Sequence, residues 1–358
     1  MATENRERAD IYITQSFNDS ELYVDAIKKQ NIFREVRFLS YKTFVKYFNR
    51  SGRFAAKAQA VRNYLSPRQV VESFIAKDTF YNKIYAANRD IIGRYVQFYH
   101  FQNKVNAEFI RFEEGNSTYI GDQLREKKPE KLLRRLLYGK KAVIPNTMYV
   151  YSPELFCRMR NDDGRFIKKI VISDNALETI KKVFNHSKMI PVNSAILIDT
   201  NKIIFSSDEK ERILKIFDTI KQNLDLELFY KPHPRDNRID FDLNKTLSYQ
   251  IPFEVTCLDS NMNSAVLISY LSTCVSSPKI IFDKEPFVLL LYKLVNSSLD
   301  TKPLDRFYDA LRKTYVHADR ILIPNDIHEL MLSIDKINYS YGRPESVKLK
   351  QLKVSNVR

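Results

Sequence analysis

The chain has 358 residues, of which 44% are hydrophobic and 12% aromatic, and it carries a formal net charge of +15. This composition excludes a disordered chain, and the length exceeds what one hydrophobic core usually serves, so two domains are expected. No run of about 18 apolar residues is present, which excludes a membrane-spanning helix. The positive charge favours anionic partners such as nucleotides, phosphorylated glycolipids or an acidic membrane surface.

The cysteines and the first residues indicate the cellular compartment. Cys157, Cys257 and Cys274 lie far apart in apolar stretches, which predicts neither a disulfide framework nor a zinc site and favours a reducing compartment. Residues 1–10 are polar and charged, so no signal peptide is expected. We therefore expect a cytoplasmic protein that is soluble, or at most peripheral at the inner membrane face.

Strands and helices alternate along the N-terminal half, which is typical of a parallel sheet covered by helices. Gly139 stands where helices tend to stop, and Asp162-Asp163-Gly164 is typical of a hairpin turn. The predicted elements are, in chain order, strand 10–16, helix 21–30, strand 35–39, helix 41–49, a helical stretch over 67–99, strand 108–112, helix 130–138, short strands at 142–144 and 148–151, and helix 175–184.

The alternation starts again near residue 188. Ser206 and Glu209 predict a capping box before a helix with apolar residues at helical spacing. The pattern predicts an α/β fold with two Rossmann-like domains, residues 1–187 and 188–358, that face a cleft with ligands at the carboxyl ends of the strands. The predicted elements of the second half are strand 195–199, helix 208–223, and strands 224–230, 265–268 and 279–282.

A histidine lies between two prolines in Lys231-Pro232-His233-Pro234-Arg235. The prolines stiffen the backbone and supply no N–H group. At the end of a strand, with Lys231 and Arg235 beside it, His233 is placed to meet a phosphate. Its ordinary pKa of about 6.5 suits it to donate a hydrogen bond or a proton to a leaving phosphate. A turn histidine with two charged neighbours is the alternative interpretation.

Two adjacent carboxylates, Glu113 and Glu114, follow an apolar strand and precede Gly115. A carboxylate at a strand end can be held near the proton of a nucleophile, and glycine lets the chain turn sharply. An ordinary polar turn is the alternative interpretation. The acidic pair at residues 162–163 is the weaker candidate, because its flanks predict hairpin strands.

Two further elements suit a nucleotide. In Ile251-Pro252-Phe253-Glu254, a proline and apolar residues hold a single carboxylate, which is suited to accept hydrogen bonds from ribose hydroxyls. Ser272 and Thr273 follow an apolar run, where hydroxyl and backbone N–H groups can cradle a phosphate. A helix N-cap is the alternative interpretation for this pair.

The order of these motifs resembles the bacterial sialyltransferases. Those enzymes carry an acidic-acidic-glycine motif, a His-Pro motif, an Ile-Pro-x-Glu element and a Ser-Ser/Thr motif in this order. The resemblance is closest to the lipooligosaccharide sialyltransferases of glycosyltransferase family 52, and Tyr151-Ser152-Pro153-Glu154 adds to it. It covers residues 190–290, while the Glu-Glu-Gly signal carries it in the N-terminal half.

The resemblance implies a GT-B-type fold and an inverting transfer of sialic acid from CMP-sialic acid to a galactose-terminated glycan or glycolipid, in lipooligosaccharide or capsule biosynthesis. No cofactor and no metal are expected. Residues 1–187 would carry the acceptor side and the catalytic base, and residues 188–358 would bind CMP, with the last helices packing back on the first domain as an option.

The resemblance also assigns roles to residues. Glu113 would be the general base, and Glu114 stays open as the base because Glu-Glu replaces the commoner Asp-containing pair. His233 would contact the CMP phosphate and assist its departure. The residues expected to bind the donor are Lys231, Arg235, Glu254 for the ribose, and Ser272 with Thr273 for the phosphate.

Other functions stay open at this point. A related glycosyltransferase could use another nucleotide sugar, and a CDP-polyol phosphotransferase also uses a His-Pro loop, although Ile-Pro-Phe-Glu counts against it. A basic nucleic-acid-binding protein has charge as its sole support, so no nucleic acid is expected. Residues 240–242, an Asp-Phe-Asp, are interpreted as solvated surface and not as a metal site. The basic residues after 347 could touch an anionic membrane, but a solvated terminus is the preferred interpretation.

Overall fold

In every sheet of the described part of the chain, the paired strands run parallel to each other. The computed structural model describes residues 9–14, 20–40, 66–87, 90–120, 136, 147–160, 164, 166–185, 189–200, 206–233, 245–295 and 300–341. The chain divides into an N-terminal unit, Met1–Thr179, and a C-terminal unit, Ile180–Arg358. The boundary predicted near residue 188 falls shortly after this division.

The N-terminal unit forms a sheet in the order β3-β4-β5-β6 and a separate pair β1-β2. A sheet order that follows the chain order, with helices between the strands, is the expected outcome of repeated parallel crossovers. The described elements are β1 (Asp10–Thr14), α1 (Leu22–Lys29), β2 (Glu35–Leu39), α2 (Pro67–Val71), β3 (Lys83–Ala87), α3 (Ile91–Gln102), β4 (Glu108–Phe112), α4 (Ser117–Ile120), β5 (Thr147–Val150), α5 (Pro153–Arg160), β6 (Ile167–Lys169) and α6 (Asp174–Phe184), which crosses the division.

The helical stretch predicted over residues 67–99 is wrong in its middle. The structure has α2 to Val71, then β3 over Lys83–Ala87, and α3 from Ile91. Burial alternates along β3, with Ile84 and Ala86 inside and Lys83 and Tyr85 outside, which is the period of a strand and not of a helix. The aromatic residues that suggested a helix therefore belong to two helices and the strand between them.

The hairpin predicted around residues 162–164 is wrong, because the described elements on either side are not two antiparallel strands. Helix α5 precedes these residues and β6 follows them, and β6 pairs parallel with β5. Residues 162–163 lie outside the described residues, while Gly164 has a φ of +75°, a left-handed conformation that favours glycine. Also outside the described residues lie helix 41–49, strand 142–144 and helix 130–138 apart from Leu136.

The C-terminal unit forms a five-stranded sheet in the order β11-β10-β9-β7-β8. Its first strand therefore lies inside the sheet, with β8 on one side and the later strands on the other. The described elements are β7 (Ser194–Ile198), α7 (Ser207–Asn223), β8 (Glu227–Lys231), α8 (Phe253–Thr256), β9 (Ala265–Ser269), α9 (Ser277–Phe282), β10 (Phe287–Leu290), α10 (Tyr292–Val295), α11 (Lys302–Arg312), β11 (Ile321–Leu322) and α12 (Ile327–Tyr341), with 3₁₀ turns at Met262–Ser264, Thr273–Ser276 and Ala318–Arg320.

The central strands of the C-terminal unit are apolar because they lie in its core. Every residue of β7 and β9 is buried, as expected for parallel strands with helices on their faces. Helices α7 and α12 contribute to the same core, through Ile216 and Ile334 among others. Ser206 begins α7 with the predicted capping box, because its hydroxyl accepts from the Glu209 N–H and the Glu209 carboxylate accepts from the Ser206 N–H.

The strand predicted over residues 279–282 is wrong. This stretch is helix α9, which has Pro278 in its first turn, a position where proline is favoured. The strand of this region is β10, a few residues later, and it pairs with β9. The α/β class and the two Rossmann-like units with parallel sheets are confirmed.

A close approach between α3 and β3 gives a stability prediction. A methyl group added at Gly93 would come within 2.5 Å of Cβ of Ala86, so we expect Gly93→Ala to destabilise the protein. Alanine favours a helix over glycine by up to about 1 kcal/mol, but overpacking a core typically costs about 1–3 kcal/mol. Thermal unfolding measures the net effect as a lower Tm.

The matched variant combines Gly93→Ala with Ala86→Gly. This pair removes the clash and keeps the added methyl group, so the double variant should regain part of the lost Tm. A Gly93→Ala protein with an unchanged Tm would contradict the clash.

Candidate active site

Three neighbouring strands of the C-terminal sheet end in one row. The register pairs Ile198 of β7 with Lys231 of β8 on one side and with Ser269 of β9 on the other. The strand order reverses between β7 and β9, and ligands of open parallel sheets bind at such a switch point, outside the carboxyl ends of the strands. His233 and Ser272 follow these ends directly, so the fold brings the two motifs to the same edge.

Hydrogen bonds tie the ends of these strands together. The Tyr230 hydroxyl donates to the carboxylate of buried Asp199. The other carboxylate oxygen of Asp199 accepts from the Thr200 N–H at 2.8 Å. The Thr200 hydroxyl in turn accepts from the Leu271 N–H at 3.3 Å. This polar network crosses the switch point from β8 through β7 to the segment after β9.

His233 lies at the end of β8, after buried Pro232, and is partly exposed. Its setting at the carboxyl edge is the one that the sequence predicts. The following residues, including Arg235, lie outside the described residues, so the role expected of Arg235 stays a prediction.

Lys231 is buried, with 4% of its surface exposed. Its ammonium group donates to the carbonyl oxygens of Ser248 at 2.5 Å and Ile251 at 2.8 Å. Burial lowers the pKa of Lys231 to about 8, and the nearby Cys274 and Glu254 act in the opposite direction. Lys231 is thus engaged inside the unit, whereas the sequence places it beside His233 to meet a phosphate.

Glu254 lies in the first turn of α8, directly after Pro252 and Phe253. Its Oε1 accepts a hydrogen bond from the Ser277 hydroxyl at 2.8 Å, and the residue is half-buried. Ser277 is the first residue of α9. The carboxylate is therefore held by a helix that follows the Ser272-Thr273 motif in the chain.

Ser272 is the N-cap of the 3₁₀ turn Thr273–Ser276, because its hydroxyl accepts from the Cys274 N–H at 3.4 Å. The Ser272 N–H donates to the Ser269 hydroxyl at 3.0 Å, and Thr273 is exposed. Burial, with Glu254 nearby, raises the pKa of the Cys274 thiol to about 12. Cys274 interacts with Lys231, Glu254 and Ser272, so the structure gathers these three candidate residues around one thiol.

In the N-terminal unit, Glu113 follows β4 and is 8% exposed. Its Oε2 accepts hydrogen bonds from the Tyr119 hydroxyl at 2.5 Å and from the Tyr151 N–H at 2.7 Å. The Tyr119 hydroxyl also accepts from the Ser152 N–H at 3.3 Å. Both of these bonds to the carboxylate use Oε2.

The surroundings of Glu113 change its protonation. Burial raises the pKa of the Glu113 carboxyl to about 7, although the hydrogen bonds from Tyr119 and Tyr151 favour the charged form. A general base is most effective when its pKa lies near the working pH. The arrangement can therefore both accept and release a proton near neutrality.

Glu114 has a different setting from its neighbour. Its side chain is exposed, and its N–H donates to the Thr118 hydroxyl at 3.0 Å. Gly115 follows with a φ of +74°, in the left-handed region that the sharp turn into α4 requires. The two carboxylates that the sequence could not rank are thus separated by burial.

Sequence reasoning missed Tyr119 as the support of Glu113 and the Asp199–Tyr230 pair as the centre of the switch point. The signal for Tyr119 was its position on a short helix just after the Glu-Glu-Gly turn. Tyr151-Ser152-Pro153-Glu154 is part of the site through its backbone, since the N–H groups of Tyr151 and Ser152 face Glu113 and Tyr119. Its Glu154 is exposed and pairs with Arg158 at 2.7 Å.

The described ranges contain no group of three or more His, Cys, Asp or Glu side chains placed to hold a metal ion, and the expected metal independence stays a prediction. No helix in this part of the chain combines the length and the apolar composition that crossing a membrane requires.

The raised pKa of Glu113 predicts a pH-dependent stability. Because the value in the folded chain, about 7, lies above the ordinary value of 4.5, folding favours the protonated carboxyl. This contribution is fully present below about pH 4 and is lost as the pH rises through 7. Glu113→Gln cannot ionise, so its stability relative to wild type should rise by roughly 3 kcal/mol between pH 4 and pH 8.

Denaturant unfolding at several pH values measures this difference. Glu114→Gln is the matched control, since it makes the same substitution at the exposed neighbour. A pH-independent difference for Glu113→Gln would show that the carboxyl titrates normally.

Comparison with solved structures gives distant likenesses. They include a kitacinnamycin glycosyltransferase (8% identity, 95% of this chain and 92% of that chain, TM-score 0.48), a Methanocaldococcus jannaschii UDP-GlcNAc 2-epimerase (8%, 92% and 92%, 0.45) and a calicheamicin glycosyltransferase (11%, 98% and 99%, 0.43). Likenesses this distant carry no argument about function.

Comparison with curated proteins finds no match. A family model does match, over residues 3–290, and it is described as alpha-2,8-polysialyltransferase. The matched range includes all the candidate site residues, from Glu113 to Thr273, in both units. The chain therefore belongs to the alpha-2,8-polysialyltransferase family, and thus to the sialyltransferases predicted from its motifs.

Proposed function

We propose that the protein transfers sialic acid from CMP-sialic acid to a hydroxyl group of a glycan, with inversion at the transferred carbon. The observation that carries the proposal is that His233 and Ser272 follow strand ends at the carboxyl edge of the C-terminal sheet, around its switch point, while Glu254 is held by Ser277 just after the Ser272-Thr273 motif. The family match supports the proposal, because the chain belongs to a sialyltransferase family.

The C-terminal unit supplies the donor site in this proposal. Glu254 accepts hydrogen bonds from the ribose, and the hydroxyl and N–H groups at Ser272 and Thr273 meet the phosphate. His233 donates a hydrogen bond or a proton to the phosphate as the bond between the sialic acid carbon and the phosphate oxygen breaks. CMP leaves as a stable anion, and donors aimed at its developing charge lower the barrier.

The N-terminal unit supplies the base. Glu113 accepts the proton of the acceptor hydroxyl as its oxygen forms the new bond to the sugar carbon. Glu113 is preferred over Glu114 because it is buried, is oriented by Tyr119 and Tyr151, and has a pKa near 7. Exposed Glu114 has no comparable support among the described residues.

The acceptor is proposed from the family description. An alpha-2,8-polysialyltransferase extends a chain that ends in sialic acid, and such a polyanion suits a protein of net charge +15. The motif resemblance to the lipooligosaccharide sialyltransferases keeps a galactose-terminated acceptor as the second candidate. A bacterial cell, a glycolipid acceptor and contact with an anionic membrane are part of the same proposal.

A transfer assay tests the function directly. CMP release from CMP-sialic acid is measured with lactose and, separately, with a sialylated acceptor. We expect stimulation by an acceptor, and losses of at least about a hundredfold in His233→Ala and in Glu113→Gln, the usual range for general acid–base groups. Glu114→Gln is the matched control and should keep most of the activity.

The outcomes separate the alternatives. Stimulation by the sialylated acceptor but not by lactose would identify the polysialyl reaction, and the reverse would identify the galactose acceptor. A protein that is inert with CMP-sialic acid but active with a CDP-polyol would overturn the proposal. Equal losses in both glutamate variants would leave the base assignment without support.

A second prediction concerns the pH profile. The Tyr119 hydroxyl stabilises the charged form of Glu113, so Tyr119→Phe should raise the pKa of Glu113. In wild type, the midpoint of the acid limb of kcat/KM should lie near pH 7. In Tyr119→Phe we expect this midpoint about one pH unit higher, because one hydrogen bond to a charged group is lost.

Tyr292→Phe is the matched control for this profile. It also removes a buried tyrosine hydroxyl that donates to a carboxylate, that of Asp305 at 2.6 Å, but in the other unit. It should leave the acid limb in place. An acid limb that does not move in Tyr119→Phe would mean that another group controls the profile.

A further inference from the structure

A buried ammonium group joins the strand that precedes His233 to the segment that leads to Glu254. Lys231 is the last residue of β8, and its Nζ donates to the carbonyl oxygens of Ser248 and Ile251. Ile251 lies directly before Pro252, at the start of helix α8. The Lys231 side chain, from the His-Pro motif, therefore holds the backbone of the Ile-Pro-Phe-Glu motif.

The segment over residues 245–251 is also attached to β8 at its beginning. The Tyr230 N–H donates to the Lys245 carbonyl at 2.9 Å, and the Leu247 N–H donates to the Tyr230 carbonyl at 2.8 Å. Thr246 pairs with Tyr230 in a parallel bridge. Backbone bonds thus fix where the segment starts along the strand, and the Lys231 ammonium fixes where it ends.

Burying the Lys231 ammonium costs free energy, which its hydrogen bonds and charge contacts must offset. A buried ammonium group loses its hydration and is tolerated where oxygen atoms or opposite charges replace the water. Two carbonyl oxygens accept from Nζ, and the Glu254 carboxylate is near enough to favour the charged form. Two of the three N–H donors of Nζ are therefore bound to the backbone of the unit, and only 4% of the surface of Lys231 is exposed.

We propose that Lys231 is a positioning residue that sets Glu254 for the ribose of the donor, and that it is not a ligand of the donor phosphate. This assignment rests on the proposed function, because it takes the donor site to be at this edge. It replaces the phosphate contact that the sequence suggests for Lys231.

Binding of cytidine and CMP separates the two roles. Lys231→Met removes the ammonium and keeps the length of the side chain. If Lys231 positions Glu254, both cytidine and CMP should bind about tenfold more weakly, because both contain the ribose. If Lys231 binds the phosphate, CMP weakens and cytidine does not. NMR-detected titration measures both ligands on the full chain.

Two controls accompany the titration. Glu254→Gln should weaken cytidine and CMP alike, and adding Lys231→Met to it should weaken them little further, since both changes act on the same contact. Lys245→Met is the matched lysine control. Lys245 ion-pairs with Glu227 at the other end of β8 and is half exposed, so its loss should leave both affinities near wild type.

A wild-type measurement keeps the inference testable if Lys231→Met does not fold. The NMR signal of the Lys231 ammonium should respond equally to cytidine and to CMP. A shift with CMP alone would overturn the positioning role, as would a loss of CMP binding alone in the variant. A wild-type chain that binds neither cytidine nor CMP would instead refute the donor site, and the proposed function with it.

Discussion

The pairing of β7 with β8 on one side and β9 on the other determines where the candidate residues of the C-terminal unit can lie. Because all three strands run in the same direction, their carboxyl ends meet at one edge. The Ser269 hydroxyl adds a bond beyond the sheet, since it donates to the Ile198 carbonyl at 2.9 Å and accepts from the Ser272 N–H. A slip of one residue would turn the side chain of Lys231 to the opposite face of the sheet, away from the segment that it holds.

The two adjacent glutamates, Glu113 and Glu114, differ in burial and hydrogen bonding because a turn begins between them. Glu113 is still in line with β4, and its N–H donates to the Tyr149 carbonyl of the neighbouring strand. Glu114 is already in the turn that Gly115 permits, so it faces solvent. Helix α4 then brings Tyr119 back over Glu113. The strand, the turn and the short helix act together, and removing any of them would leave two ordinary surface carboxylates.

Much of the fold and part of the site could be predicted from the sequence. Local chemistry was sufficient where it decides the structure, as for the capping box at Ser206 and the apolar run of β9. It was insufficient where a stretch of residues fits a helix or a strand equally well. Residues 279–282, predicted as a strand, form a helix, and residues 83–87, predicted as helical, form a strand. His233 and Ser272 could be placed at strand ends from their neighbours. The carbonyl contacts of Lys231 could not, because they join residues that are far apart in the chain and meet through sheet register.

The thiol at the centre of the C-terminal candidate residues has a chemical consequence. Oxidants and alkylating agents react with the thiolate, and a Cys274 pKa of about 12 keeps that form rare at neutral pH. A cysteine among residues that would bind a nucleotide therefore adds little oxidative liability. Cys257, whose pKa burial also raises, is protected in the same way. Cys274 should therefore react slowly with oxidants and alkylating agents at neutral pH, although it is not fully buried.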